Sequence, residues 1–310
     1  MIIANSDKKA DPLLSRLRSL ARESPYLRDV TELYEEILPL LNNADLHTGK
    51  IEMTPEEARR KMENGRVLLD GLELDLDIAA LRELMIRLTA AIERTGRYMR
   101  PRVLRFPLFM FLPETESAAK RIRTTLEENR MDSGELITSV ASGNLDTIIS
   151  AAKDLELDSA LLVVLAQNAL KPALRSWSEQ LAPLAAGIPW EWGSCYVCGG
   201  SPVLGELQDN DQVKHLRCGA CGADWRYPRL QCMYCGNNDH NTLGYLYPEG
   251  RGEKMRVETC DHCKGYLKVI SAFSPTPSDM LTIEDMATLS LDYIAQEKGY
   301  TRKTDQLRIR

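Results

Sequence analysis

The first 194 residues of this 310-residue chain contain no cysteine. Its longest apolar run, Ala160 to Ala166, falls far short of the roughly 20 residues a bilayer-spanning helix needs, so none is expected. Positive charge is not in excess. With 39 Lys plus Arg against 45 Asp plus Glu, the formal net charge is −6, which argues against a protein that coats a polyanion. The cysteine-free part has no G-x-G-x-x-G or Walker loop, no G-x-S-x-G elbow and no H-E-x-x-H helix. Nothing there nominates a nucleophile or a general base, and the reading is of a protein that is not an enzyme. The opening residues, Met1 to Lys9, have too short an apolar stretch for a signal peptide, charges that follow it rather than precede it, and no twin-arginine pair. The expected location is the cytoplasm. An apolar content of 44% and mild charge imbalance exclude disorder as the dominant state.

From Asp11 to about Ala186 the chain reads as successive helices. Leu13, Leu14, Leu17 and Leu20 begin a spacing of three and four that Pro25 interrupts, and Leu27, Val30, Leu33, Ile37 and Leu41 resume it. Thr54-Pro55-Glu56-Glu57 is a capping box with proline at the first helical position. Asp77 opens a helix with Ile78, Leu81, Met85, Leu88 and Ile92 on one face and Gly96 as its stop. Pro101 to Pro107 is expected to be a buried connection, and Asp132 and Asn144 to be further caps. Asp158 starts an apolar helix suited to the centre of a bundle, with Pro172 expected to kink it or start another helix running to about Leu184.

At Gly187-Ile188-Pro189-Trp190 glycines, turns and short alternating strands take over. All eight cysteines lie here, as four C-x-x-C pairs: Cys195/Cys198, Cys218/Cys221, Cys232/Cys235 and Cys260/Cys263. Two intervening residues let a chain wrap tightly enough to present both sulfurs to one ion, and two such knuckles complete a tetrahedral site. Between the first two pairs, Val203 to Leu207 and Val213 to Arg217 form a hairpin around Asp209-Asn210-Asp211, and Ala223 to Tyr227 supplies a third strand. The second half repeats the plan with Leu243 to Tyr247, the turn Pro248 to Gly252, Lys254 to Glu258, and a trailing strand Tyr266 to Ile270. A hairpin inside each half favours sequential over cross-braced pairing. The expected ligands are Cys195, Cys198, Cys218 and Cys221 for one site and Cys232, Cys235, Cys260 and Cys263 for the other.

Gly199, Gly222 and Gly236 directly follow a second cysteine, where positive φ turns backbone amides toward the thiolates, and Gly265 stands one place later in the fourth knuckle. Lys264 and Lys268 are candidate counter-charges for the thiolates. Redox-active C-x-x-C pairs would need a βαβ setting that is absent. Four thiolates close the coordination sphere, so a metal-centred catalyst is not expected, and tetrahedral S₄ suits zinc and iron alike. Whether the metals only hold the ribbons folded or act in redox or sensing stays open. His215, His240 and His262 are not needed as ligands, and His47 has no evident role. Trp190, Trp192 and Trp225 are read as ribbon packing rather than a base-stacking platform.

The fold class is therefore an all-α N-terminal domain (1–186), two small Cys₄ modules (187–229 and 230–274), and a linker, C-terminal helix and tail (275–310). The last helix, about Thr282 to Lys298, carries Ile283, Met286, Leu289 and Tyr293 on one face, and either the bundle or the cysteine region can receive it.

The runs Cys195-Tyr196-Val197-Cys198-Gly199, Arg217 to Trp225, Cys232 to Asn237 and Glu258 to Lys268, followed by Asp285 to Leu289 and Gly299-Tyr300, resemble the formate dehydrogenase accessory protein FdhE family. Tyr196 stands where that family often has proline. The resemblance implies a cytoplasmic maturation factor that binds the catalytic subunit of respiratory formate dehydrogenase before export. It also implies iron in two rubredoxin-like FeCys₄ sites, with zinc as the alternative occupant. A nucleic-acid-binding zinc-ribbon protein is the rival reading, and nine Lys/Arg against ten Asp/Glu from Trp190 to Pro275 give it no basic excess. The terminal cations Arg302, Lys303, Arg308 and Arg310 read as a solvated tail. A rubredoxin-like electron-transfer protein is the third option.

Overall fold

The computed structural model describes residues 11–96, 115–248 and 254–303. The expectations for Met1 to Lys9, Pro101 to Pro107, the turn residues Glu249 to Gly252, and Arg308 and Arg310 lie outside the described residues.

The helical half is built from α1 (Pro12–Glu23), α2 (Arg28–Asn42), α3 (Pro55–Glu63), α4 (Ile78–Gly96), α5 (Thr115–Glu127), α6 (Ser133–Ser142), α7 (Leu145–Asp154) and α8 (Ser159–Leu181). Its boundaries follow local chemistry. Asp11 accepts from the Leu13 amide at 2.9 Å, and Asp158 from the Leu161 amide at 2.8 Å. At α3 the Thr54 hydroxyl accepts from the Glu57 amide at 3.2 Å while Glu57 accepts from the Thr54 amide at 3.0 Å, completing the capping box. Asp77 and Asp132 cap α4 and α6 in the same manner, whereas Asn144 sits at the cap of α7 without a side-chain bond.

Helix α8 forms the centre. Leu162, Leu165, Ala166, Ala169, Leu170, Ala173, Leu174, Trp177 and Leu181 are buried at alternating steps of mainly three and one, the pattern of one broad helix face. Pro172 lies inside α8 and does not start another helix, which excludes that one of the two expected outcomes. A proline inside a helix costs about 3 kcal/mol. Four large buried residues, Leu165 and Leu170 before it and Leu174 and Trp177 after it, each contribute about 2 kcal/mol by burial and hold both halves on one core.

The strands are β1 (Pro202–Gln208), β2 (Val213–Cys218), β3 (Asp224–Arg226), β4 (Leu243–Leu246), β5 (Met255–Cys260) and β6 (Tyr266–Ala272). The expected two ribbons are present, but they share one six-stranded sheet in the order β3-β2-β1-β6-β5-β4. Every neighbouring pair is antiparallel except β1 and β6, which run parallel from Gly205↔Val269 to Gln208↔Ala272.

The C-terminal segment is two helices, α9 (Leu281–Ala287) and α10 (Leu289–Glu297), rather than one. At the junction the Thr288 hydroxyl donates back to the carbonyls of Glu284 at 2.8 Å and Asp285 at 3.1 Å. Ile283, Met286 and Leu289 pack with Leu13, Leu17 and Leu20 of α1 and Tyr34 and Leu38 of α2, whereas Leu291 and Ala295 pack on Val257 and Tyr266 of the sheet. Both destinations considered for the segment are thus used.

A buried ionic cluster fastens this segment. The Lys268 ammonium lies 2.6 Å from Asp285 and 2.7 Å from Asp292, and Arg302, expected in a solvated tail, is instead drawn in by these carboxylates and lies 2.9 Å from Asp285. The Tyr266 hydroxyl donates to Asp292 at 2.6 Å. Burial by itself would raise the Asp285 carboxyl, but Arg302 and Lys268 outweigh it and hold the group below its ordinary value. A carboxyl depressed in the fold contributes stability above its unfolded pKa, and that contribution is lost as pH falls through the folded value. Asp285→Asn is therefore expected to cost about 3 kcal/mol near pH 7, since it leaves buried cations with one anion fewer. It should also remove part of the stability lost below about pH 4. Urea melts at pH 7 and at lower pH check both effects; an unchanged acid limb in the variant would contradict this role.

Candidate metal centres

The first cluster draws Cys195 and Cys198 from the loop before β1, Cys218 from the end of β2 and Cys221 from the turn that follows. The second draws Cys232 and Cys235 from the loop after β3, Cys260 from the end of β5 and Cys263 from its turn. In each set the four Sγ atoms all lie within 4.8 Å of one another. Cys195–Cys221 and Cys198–Cys218 are 3.5 Å apart, and Cys232–Cys263 and Cys235–Cys260 are 3.7 Å apart. These separations are far beyond the roughly 2.05 Å of a disulfide. They are close to the sulfur–sulfur edge of about 3.8 Å implied by tetrahedral bonds of about 2.3 Å. The two clusters therefore fit a metal ion, and each assembles from sequential pairs of knuckles.

All four knuckles repeat one hydrogen-bond pattern. The first cysteine's amide donates to the carbonyl five residues on: Cys195 to Gly200 at 2.9 Å, Cys218 to Ala223 at 2.9 Å, Cys232 to Asn237 at 2.8 Å and Cys260 to Gly265 at 3.0 Å. That loop requires positive φ directly after the second cysteine, found at Gly199 (74°), Gly222 (76°) and Gly236 (72°). In the fourth knuckle the positive φ falls on Lys264 (55°), not on Gly265. Gly265 answers a different constraint, because a Cβ there would stand 2.6 Å from the Tyr234 ring.

The chain aims donors at its thiols. The Val197 amide donates to Cys195 Sγ at 3.4 Å, and the Asn237 side chain to Cys260 Sγ at 3.5 Å. Burial opposes ionisation of Cys260, but the amides of Cys263 and His262 and the Asn237 side chain help hold it down to about 7. Cys218 is held well below its ordinary value by hydrogen bonds from Cys195, Cys198 and Cys221, whereas burial pushes Cys195 and Cys232 up. Each cluster thus has one thiol biased toward thiolate.

The surroundings differ. The first cluster belongs to the main hydrophobic core with Leu174, Trp177 and Leu181 of α8. Its first knuckle is pinned by the Leu68 and Leu69 amides, which donate to the carbonyls of Tyr196 at 2.8 Å and Val197 at 3.0 Å. The Tyr196 ring meets Trp225 edge-on, with centroids 6.4 Å apart. In the second cluster Cys235 is exposed and Cys263 partly exposed.

Among the described residues no histidine joins either cluster. His215 pairs with Asp224, while His47, His240 and His262 are exposed. Trp190 and Trp225 are buried and donate to the carbonyls of Ser194 and Trp192, but the Trp192 side chain is largely exposed. Lys264 pairs with Asp261, and Lys268 is engaged with Asp285 and Asp292, so neither ammonium is directed at a sulfur. Sequence reasoning missed the anchoring amides of Leu68 and Leu69, the Asn237 donor, and a polar set beside the first cluster. There Arg217 reaches Glu206 at 2.7 Å and the Thr276 carbonyl at 2.6 Å, and Gln208 bridges Glu206 and Asp224 at 2.8 Å each. The period-two run Glu206, Gln208 on β1 and His215, Arg217 on β2 was the available signal.

The family model for FdhE, C-terminal domain, matches residues 230–308. A protein FdhE homolog of Pseudomonas aeruginosa is 33% identical over 143 residues, covering 43% of this chain and 45% of that protein. A second, from Stutzerimonas stutzeri, is 30% identical over 184 residues, covering 57% and 56%. The chain thus spans about half the length of the curated relatives it matches. The crystal structure of the FdhE protein from Pseudomonas aeruginosa superposes with a TM-score of 0.55 at 26% identity, covering 96% of this chain and 93% of that one. The resemblance to FdhE proteins drawn from the cysteine motifs holds in both sequence and fold.

Gly265 and Gly236 make contrasting tests of the second cluster. Gly265→Ala is expected to cost about 1–3 kcal/mol, because the Tyr234 ring must move. Gly236→Ala, with only the flexible end of Gln231 nearby at 3.8 Å, is expected to cost about 1 kcal/mol through its positive φ. Denaturant midpoints of the two variants check the order, and a Gly236 loss larger than the Gly265 loss would reverse it.

Proposed function

We propose that this chain is an accessory factor for the maturation of formate dehydrogenase, binding the catalytic subunit of that enzyme in the cytoplasm before export. The observation that carries this reading is the pair of closed Cys₄ clusters on one sheet, in a chain that resembles FdhE proteins over nearly its whole fold. Cys195, Cys198, Cys218 and Cys221 hold one metal ion, and Cys232, Cys235, Cys260 and Cys263 a second. Iron, when bound, would supply one-electron chemistry, whereas zinc would supply structure alone. Four cysteine ligands leave no coordination position for a substrate, which favours an assembly role over an enzymatic one.

The functional division follows the chain: a helical platform over 1–186, two metal modules over 187–229 and 230–274, and a fastening segment over 275–310. Charge distribution supports a protein partner over nucleic acid. Lys214, Arg217, Arg256, Lys264 and Lys268 are each paired with a carboxylate and so are not free for phosphates.

Protein purified without oxygen is expected to carry two metal ions per chain, and Cys198→Ser and Cys235→Ser are each expected to lower that to one. Elemental analysis with a visible spectrum checks the count and the metal. The anaerobically purified, metal-loaded chain is expected to capture the isolated catalytic subunit of formate dehydrogenase in a pull-down. No capture under those conditions would overturn the accessory reading.

A further inference from the structure

The sheet ends beside the first cluster in the short strand β3, which pairs only with β2. Between this free edge and the segment 185–191 lies an open groove of about 990 Å³. Ile188, Trp190, Trp225 and Tyr227 contribute its apolar surface, and Glu179, Glu191 and Arg226 stand exposed along it.

Backbone geometry makes the edge chemically specific. The Tyr227 amide donates to the Lys214 carbonyl at 2.9 Å and the Cys218 amide to the Ala223 carbonyl at 2.9 Å. The register is His215↔Arg226, Leu216↔Trp225 and Arg217↔Asp224. Antiparallel alternation then turns the N–H and C=O groups of Trp225 inward to β2 and those of Asp224 and Arg226 outward. The outward groups have no backbone partner among the described residues. Unsatisfied strand edges of this kind recruit another extended chain. The other wall carries the exposed carboxylates of Glu179 and Glu191, which form no salt bridge among the described residues, though Arg175 lies within electrostatic reach of Glu179, so charge complementarity favours a cation opposite them.

We propose that an extended segment of a partner polypeptide adds to β3 in this groove. Its alternate side chains are apolar against Trp190 and Tyr227, and a lysine or arginine passes Glu179 and Glu191. The volume lies at the top of the range of about 300–1,000 Å³ usual for small-molecule pockets, and the groove lies open beside a strand, a shape suited to a chain. The inference rests on the accessory-factor reading only in taking this segment from the dehydrogenase subunit.

The test uses the full chain and a fluorescein-labelled octapeptide of alternating valine and threonine with an arginine at each end, read by anisotropy. Two control peptides replace the arginines by glutamate or N-methylate alternate amides, and both are expected to bind at least about tenfold more weakly. Arg226→Pro removes one outward N–H that the ladder does not use, and the double change Glu179→Lys with Glu191→Lys reverses the wall charge. Each is expected to weaken the arginine peptide about tenfold with little change in melting temperature. Should Arg226→Pro fail to fold, the charge-reversed protein still decides, because both its carboxylates are exposed. No binding of the arginine peptide, equal binding of the N-methylated peptide, or indifference to charge reversal would each overturn the proposal. The same variants in the pull-down separate the two readings. Undiminished capture of the subunit would overturn the groove as its docking surface while leaving the accessory role intact. Peptide binding that depends on the groove without subunit capture would support the groove and count against that role.

Discussion

The structure depends on one backbone contact: the parallel pairing of β1 with β6. Four registered positions, Gly205↔Val269 to Gln208↔Ala272, join two otherwise self-contained ribbons edge to edge. Without that pairing the second ribbon would lose its backbone link to the first, which itself packs on α8 in the main core. With it, one continuous sheet supports both thiol clusters and positions them relative to each other. Among the described residues it leaves β3 and β4 as the sheet's edges, one of them beside the groove at the first cluster.

Joining the ribbons creates a surface broad enough to receive other elements, and the chain covers it with charge as well as apolar side chains. Lys268 and Lys214 are among the most deeply buried side chains of the protein, and each is held by carboxylates from a different part of the chain. Such pairs add little net stability over apolar packing, but a missing partner is costly. The Lys268 pairs therefore favour one docking of α9 and α10 over near alternatives. The Lys268 cluster fastens the C-terminal segment to the sheet, while Ile283, Met286 and Leu289 carry the same segment to α1 and α2. The segment 281–303 thus closes onto both the bundle and the sheet.

The two clusters share knuckle geometry yet occupy different environments. The first is enclosed by α8, by the Leu68 and Leu69 amides and by the Trp225 strand; the second lies nearer solvent at Cys235 and Cys263. Their likeness follows from the repeated C-x-x-C wrap, in which the first amide bonds five residues ahead. Their difference follows from what packs outside the wrap, and nothing in the four-residue motif encodes that.

Much of this was legible in the residues because its causes are short-ranged. Aspartate and threonine caps placed helix starts, period-two alternation placed the six strands, and C-x-x-C spacing with an intervening hairpin grouped the eight cysteines into the two sets that the fold assembles. Where a cause was long-ranged, the reading stopped or erred. Pro172 was expected to kink α8 or to start another helix, and packing on both sides carries α8 through it. The last helix read as continuous because Thr288 is an ordinary helical residue, yet its hydroxyl donates back to the Glu284 and Asp285 carbonyls where α9 gives way to α10. Gly265 read as a φ requirement, although the Tyr234 ring that excludes a side chain lies 31 positions earlier. The sequence by itself determined the knuckles, the hairpins and the caps, because hydrogen bonds within a few residues dictate them. Only the tertiary structure decided that the ribbons share a sheet, that one cluster is enclosed and the other near solvent, and where the last helices dock. Those outcomes depend on which surfaces meet, and the meeting residues are far apart along the chain.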